Sequence, residues 1–290
     1  MEERQSPSLF NSLDPKSALM MGLVGGVLTL CTVGFLIFLG LLLGGKLELA
    51  SSAGGANLND QYAALAGAGT GNELPSTPPA NIPKSDRPQV ELFVMSDCPY
   101  GLQMEKAYIP AWDLLKKKAD IDVKFVSYAM HGKKEIDENT AQYCIQKEQS
   151  DKYLSYLQCY TANGNSASCL ASAGVNEKKL QSCVDGANKE FGILDEYNNQ
   201  ANWLSGQFPV YPIHKDLNEK YGVQGSPTLV INGVQAEVSR TPEAIKQAIC
   251  AAFNTAPEEC SKSLSALALG AGFGTAPAAQ GGAQAAGCGT

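Results

Sequence analysis

The sequence has two histidines, two tryptophans and no pair of cysteines in C-x₂-C spacing. With so few imidazoles and no chelating cysteine pair, there is no ligand set for a zinc or similar centre, so neither metal nor cofactor is expected. Positive charge is also scarce: 22 Lys+Arg stand against 29 Asp+Glu, a formal charge of −7. That balance offers no basic surface to a phosphate backbone, which argues against nucleic-acid binding, and it disfavours strongly acidic partners.

Charge is absent altogether from residues 17–45, between Lys16 and Lys46. A helix of that length rises about 43 Å, more than the roughly 30 Å of a hydrocarbon core. The alternative is a cleaved signal peptide ending near Ser51-Ser52-Ala53, but its apolar region would be about twice the usual 7–15 residues. We therefore expect an uncleaved single-pass anchor. Arg4 and Lys16 precede the span and only Lys46 closely follows it, which places residues 1–16 in the cytoplasm and the body outside the cell membrane.

Residues 46–88 read as a flexible linker, rich in Gly, Ala, Ser, Asn and Pro. Residues 261–290, in which 16 of 30 positions are Gly or Ala, read as a disordered tail that carries Cys288 near its end. Between them, residues 89–260 are long enough for one well-buried core. Nine cysteines are present, seven of them between residues 98 and 260. That density in an exported body points to disulfides.

The globular part alternates strand and helix. Val90–Met95 is a short apolar run, followed by Ser96-Asp97-Cys98-Pro99-Tyr100-Gly101 and a helical pattern to about Lys118. Ile121–Tyr128 alternates as a second strand, which makes a βαβ unit with parallel strands. Residues 134 to about 206 then read as a helical insertion stapled by two disulfides. The preferred pairing is Cys159–Cys169 across the Ala162–Asn165 turn with Cys144–Cys183 between outer helices; the other two connectivities stay open. A short helix, Asp216–Tyr221, precedes Thr228–Ile231, an Asn232-Gly233 turn and Val234–Val238 as a hairpin. Thr241 caps a last helix that has Pro242 at its first position and runs to about Phe253. Cys250–Cys260 would tie the following segment back onto it.

The strand leading into Cys-Pro-Tyr-Gly, and the later run Tyr221-Gly-Val-Gln-Gly-Ser-Pro-Thr-Leu-Val-Ile-Asn-Gly233, together resemble the thioredoxin fold. The helical insertion between them is similar to the DsbA-like branch, and its cysteine content is similar to the lysosomal thiol reductases. The resemblance covers residues 88 to about 254. It implies an α/β thioredoxin-like fold, here preceded by one transmembrane helix. It also implies thiol–disulfide chemistry at Cys98, a cis peptide before Pro227, and a substrate-facing edge of Ser226, Pro227 and Thr228.

Chemically, Cys98 at a helix N-terminus is favoured as thiolate, the form that attacks disulfides. Asp97 opposes this, and the helix is expected to prevail with a modest net depression of the thiol pKa. The fourth motif position is Gly101, so a mixed disulfide on Cys98 has no resolving thiol inside the motif. Three routes follow: monothiol exchange completed by an outside thiol, a degenerate module that only binds extended polypeptide, or a distal resolving Cys288 within roughly 30 Å of tail. A terminal Cys288 that is unpaired or bridges two molecules is the plainer alternative. His131, at the same sheet edge as Cys98, is a candidate proton carrier, against a simple solvated loop residue. The expected activity is that of a membrane-anchored extracytoplasmic thiol–disulfide oxidoreductase or isomerase. Its partners would be exported proteins with thiols or disulfides and a separate thiol or membrane redox partner. The alternative is a non-catalytic peptide-binding or chaperone module.

Overall fold

The computed structural model describes residues 82–278 and 287–289. The anchor expected over 17–45 and most of the linker lie outside these residues. Among the described residues no helix is long and apolar enough to cross a membrane.

Strand β1 (Gln89–Val94) is buried from Val90 onward on both faces, as its unbroken apolar run requires of a central strand. Helix α1 (Pro99–Leu115) returns the chain to β2 (Asp120–Phe125), whose inward positions alternate with half-covered ones. β1 and β2 are parallel, with Val90 opposite Ile121 and Leu92 opposite Val123. Five helices follow: α2 (Lys133–Glu148), α3 (Ser150–Asn163), α4 (Ser166–Ala173), α5 (Glu177–Phe191) and α6 (Ile193–Asn198). The chain then re-enters the sheet through α7 (Lys215–Tyr221), β3 (Gly225–Ser226), β4 (Thr228–Ile231) and β5 (Val234–Gln235), and α8 (Pro242–Ala251) packs against α1. The four-stranded sheet runs β2-β1-β4-β5, with β4 antiparallel to β1. A parallel βαβ half joined through a helical insertion to an antiparallel ββα half is the thioredoxin-like arrangement.

Local chemistry fixes the junctions. Asn232 and Gly233 both have positive φ, 48° and 83°, the type I′ geometry that matches hairpin twist. Thr241 caps α8 by accepting from Ala244 N–H, and Pro242 needs no donor at the first position. Asn218 of α7 donates to Phe125 O and accepts from Ser127 N–H, and His214 Nδ1 accepts from Phe125 N–H, so α7 is sewn to the end of β2. Disulfides join Cys144 to Cys183, Cys159 to Cys169 and Cys250 to Cys260. The first connects α2 with α5, the second α3 with α4.

Four sequence-based expectations are corrected. The hairpin's second strand stops at Gln235, whose side chain turns back to donate to the carbonyls of Tyr221 and Gly222. Helix α1 ends at Leu115, because the N–H groups of Lys118 and Ala119 both return to Leu115 O in the turn that feeds β2. The end of the linker belongs to the fold: Ser85 N–H donates to Ala252 O and Ser85 O accepts from Asn254 N–H. Most consequentially, the described part of the stretch read as a disordered tail, up to Ala278, folds over α1. Its residues Ala268–Ala278 form a two-stranded turn, with Gly270 N–H on Ala276 O and Ala278 N–H on Ala268 O. Low side-chain complexity did not leave it loose, because its backbone carbonyls find a buried ammonium, that of Lys106.

Candidate active site

Leaving β1, the chain turns through Ser96 and Asp97, and Cys98 becomes the N-cap of α1. Its extended backbone (φ −68°, ψ 120°) aims the side chain back over the first turn, where Sγ accepts from Gly101 N–H at 3.3 Å. A sulfur in the N-cap position therefore meets the unpaired donors and positive end of the helix. Cys98 is fully buried. Its Sγ lies 3.5 Å from Ser226 O, on the segment that carries the cis Ser226–Pro227 peptide. Ser226 Oγ accepts from Met95 N–H at 3.0 Å, and Thr228 Oγ1 donates to Gly225 O, which fixes that segment against β1.

Gly101 has no room for a side chain. A Cβ there would stand 2.6 Å from Ser226 Oγ and 3.2 Å from Met95 O. A second thiol at this position would have to displace a hydroxyl that is itself holding Met95.

The sulfur partner of Cys98 is Cys288, across 190 residues of chain and a Cα–Cα distance of 6.1 Å, which is ordinary for a disulfide. Cys288 and Gly289 form strand β6, antiparallel to Gly225–Ser226, with Ser226 opposite Cys288. Glycine is demanded on both sides of this pair. A Cβ on Gly225 would meet Cys288 O at 2.5 Å, and one on Gly287 would meet Ser226 O at 2.9 Å. An open groove beside the pair is lined by residues 224–228 and 287–289.

Upstream, the tail is held along α1. Lys106 Nζ donates to the carbonyls of Gly270, Gly272 and Gly274 at 2.6, 2.7 and 2.9 Å, which uses all three of its N–H donors. Gln103 Nε2 donates to Leu269 O, and Gly272 N–H donates to Pro99 O at the first turn of the helix. Phe273 sets its ring edge-on to Tyr160.

A charged network lies behind Cys98. Asp97 is nearly buried and bonds to Lys134 Nζ at 3.1 Å and to Tyr160 O–H at 2.9 Å, so its negative charge is partly spent. Glu135, wholly buried, accepts from the N–H groups of Asp97, Met130 and His131 and pairs with His131 Nδ1 at 2.5 Å. Its hydrogen bond raises the His131 pKa above the usual imidazole value, against partial burial and the nearby Lys134 charge. The imidazolium is thereby favoured, paired with the same buried carboxylate that accepts from the Asp97 N–H.

The structure thus brings Cys98, Gly101, Ser226, Pro227 and Cys288 together. His131 joins them through Glu135, and Tyr100 turns its ring toward the Arg240 guanidinium at 5.6 Å. Sequence reasoning missed Glu135, Lys134, Tyr160 and Lys106. Only Glu135 carried a readable signal, four residues after His131 at a helix start, the spacing at which side chains meet. Among the described residues no three metal-ligating side chains converge.

No family model and no curated protein matches this sequence. Among solved structures, the chain is similar to the reduced disulfide oxidoreductase DsbG of Mycobacterium tuberculosis, with 15% identity over 64% of this chain and 93% of that one and a TM-score of 0.43. It is also similar to reduced DsbA of the same organism (16%, 62% and 94%, 0.42) and to oxidised BdbD of Bacillus subtilis (19%, 58% and 89%, 0.38). At these identities and scores the likeness says nothing about this chain's chemistry, which rests on Cys98 and its neighbours.

Proposed function

We propose that this protein is a membrane-anchored, extracytoplasmic thiol–disulfide oxidoreductase acting on exported proteins, with Cys98 as its active-site cysteine and Cys288 as the partner that closes its redox cycle. The observation that carries this reading is the Cys98–Cys288 bridge, set on a helix N-terminus and flanked by a backbone edge that already pairs with an extended chain. Three further bridges among the described residues support an oxidising compartment.

In the oxidising direction, a substrate dithiol and the Cys98–Cys288 disulfide become a substrate disulfide and two protein thiols. Two electrons pass to the protein with two protons. Each step exchanges one S–S bond for another through a mixed disulfide. In reduced Cys98 the Gly101 N–H and the positive end of α1 favour the thiolate. A separate disulfide-bearing or quinone-linked partner then restores the bridge. Run in reverse, or stopped at the mixed disulfide, the same chemistry reduces or isomerises.

The full chain, oxidised and mixed with a reduced, unfolded disulfide protein, should form substrate disulfides in stoichiometric amount and accumulate free Cys98 and Cys288. The Cys98→Ser variant should form none. A wild-type chain as inert as Cys98→Ser would sink the proposal. That outcome would leave the binding module, a reading favoured by one observation: Cys98 is wholly covered while the Ser226 edge holds a strand.

A further inference from the structure

The bridge is asymmetric, and the asymmetry decides where exchange begins. Cys98 has no exposed surface, whereas Cys288 keeps part of its own exposed. The groove beside the bridge is lined by Cys288, with Gly287, Gly289, Pro227 and Thr228, and Cys98 takes no part in it. Cys98 is packed among Phe93, Met95, Val126, Tyr128 and Val230, with Cys288 of strand β6 against that cluster and β6 seated on Ser226.

Resting on the function just proposed, we infer that Cys288, and not Cys98, is the sulfur that an incoming thiolate attacks, so that the tail is the exchange arm of the oxidised protein. Two independent factors agree. Access is the first, since a nucleophile must reach the sulfur it attacks. The leaving group is the second: the sulfur that departs most readily is the one whose thiolate is best stabilised. Cys98 departs into the Gly101 N–H and the start of α1, while Cys288 lies in a strand and not at a helix start.

The thiolate donates its electron pair to Cys288 Sγ, the S–S bond breaks, and Cys98 leaves with that bond's pair as thiolate. Cys288 now carries the incoming group as a mixed disulfide. When that group is a dithiol, its second thiolate attacks its own sulfur in the mixed disulfide. Cys288 then leaves as thiolate, and a substrate disulfide is formed. The incoming chain reaches Cys288 through the open groove that Pro227, Thr228 and the two flanking glycines line beside it.

The test uses the oxidised full chain, reduced glutathione as the attacking monothiol, acid quenching at early times, alkylation of free thiols and peptide mapping by mass spectrometry. The expected result is a glutathione adduct on Cys288 in at least tenfold excess over Cys98, with Cys98 alkylated in the same molecules. An adduct mainly on Cys98, with Cys288 free, overturns this assignment and leaves the proposed function standing. A bridge that neither glutathione nor a dithiol opens in the folded chain overturns both.

Discussion

Gly101 leaves the motif at Cys98 without a second thiol, and its surroundings show the physical cost of any side chain there. The Cβ of Gly101→Ala would fall 2.6 Å from Ser226 Oγ, a contact that must be relieved by moving a hydroxyl bound to Met95 N–H. Ala gains up to about 1 kcal/mol over Gly in a helix, but overpacking a tight site costs about 1–3 kcal/mol. Gly101→Ala should therefore be net destabilising in urea unfolding. The penalty should shrink in a Ser226→Ala background, giving a non-additive cycle; equal penalties in both backgrounds would mean the hydroxyl is not the obstacle. This crowding could not be read from the sequence, because Ser226 and Gly101 are far apart along the chain and meet only across the sheet edge. Cys98 at a helix start, by contrast, was legible from Pro99 and the apolar strand before it.

At the scale of elements, the latch of residues 268–278 on α1 is what shortens the path from the folded body to Cys288. With the latch closed, the loop to be closed runs from Ala278; without it, from Ser265, whose carbonyl accepts from Glu243 N–H. Closure entropy grows as (3/2)RT ln n, so losing the latch lowers the effective concentration of Cys288 at Cys98 by roughly fourfold. Lys106→Met removes the ammonium and keeps the aliphatic bulk. At a fixed ratio of reduced to oxidised glutathione it should lower the population of the Cys98–Cys288 bridge accordingly, with the alkylation rate of Cys98 unchanged in a Cys288→Ser background. An unaltered bridge population would show that the clasp does not position the tail. The strands, the Asn232-Gly233 turn and the capped α8 were visible from periodicity and turn chemistry. The latch was not, because it is made of backbone carbonyls on a Gly/Ala stretch, and composition records only side chains.

For the molecule as a whole, the two histidines act on stability in opposite directions. His214, stacked on Phe125 and accepting from its N–H, has its pKa driven down to about 3, chiefly by burial, with the Lys124 charge adding to it. Unfolded it would titrate near 6.5. Its contribution is therefore fully present above about pH 6.5 and is lost as pH falls from there toward 3. His131 has a raised pKa, so its contribution is present below about pH 6.5 and fades as pH climbs through the folded value. His214→Gln keeps an acceptor for Phe125 N–H without a proton to gain. The urea midpoint should fall less between pH 7 and pH 4 in this variant than in the wild type, even though the variant is weaker at pH 7. An identical fall would place the acid sensitivity elsewhere.

The bridge between Cys98 and Cys288 has one more consequence, which concerns the unfolded chain. The other three disulfides enclose loops with sequence separations of 39, 10 and 10, whereas this one spans 190. Opening a small ring hardly alters the dimensions of a denatured polymer, but opening a ring that takes in most of the molecule lets the coil swell. The state of two sulfur atoms is thus written into the hydrodynamic radius of the denatured protein, where a non-reducing gel can read it without any label.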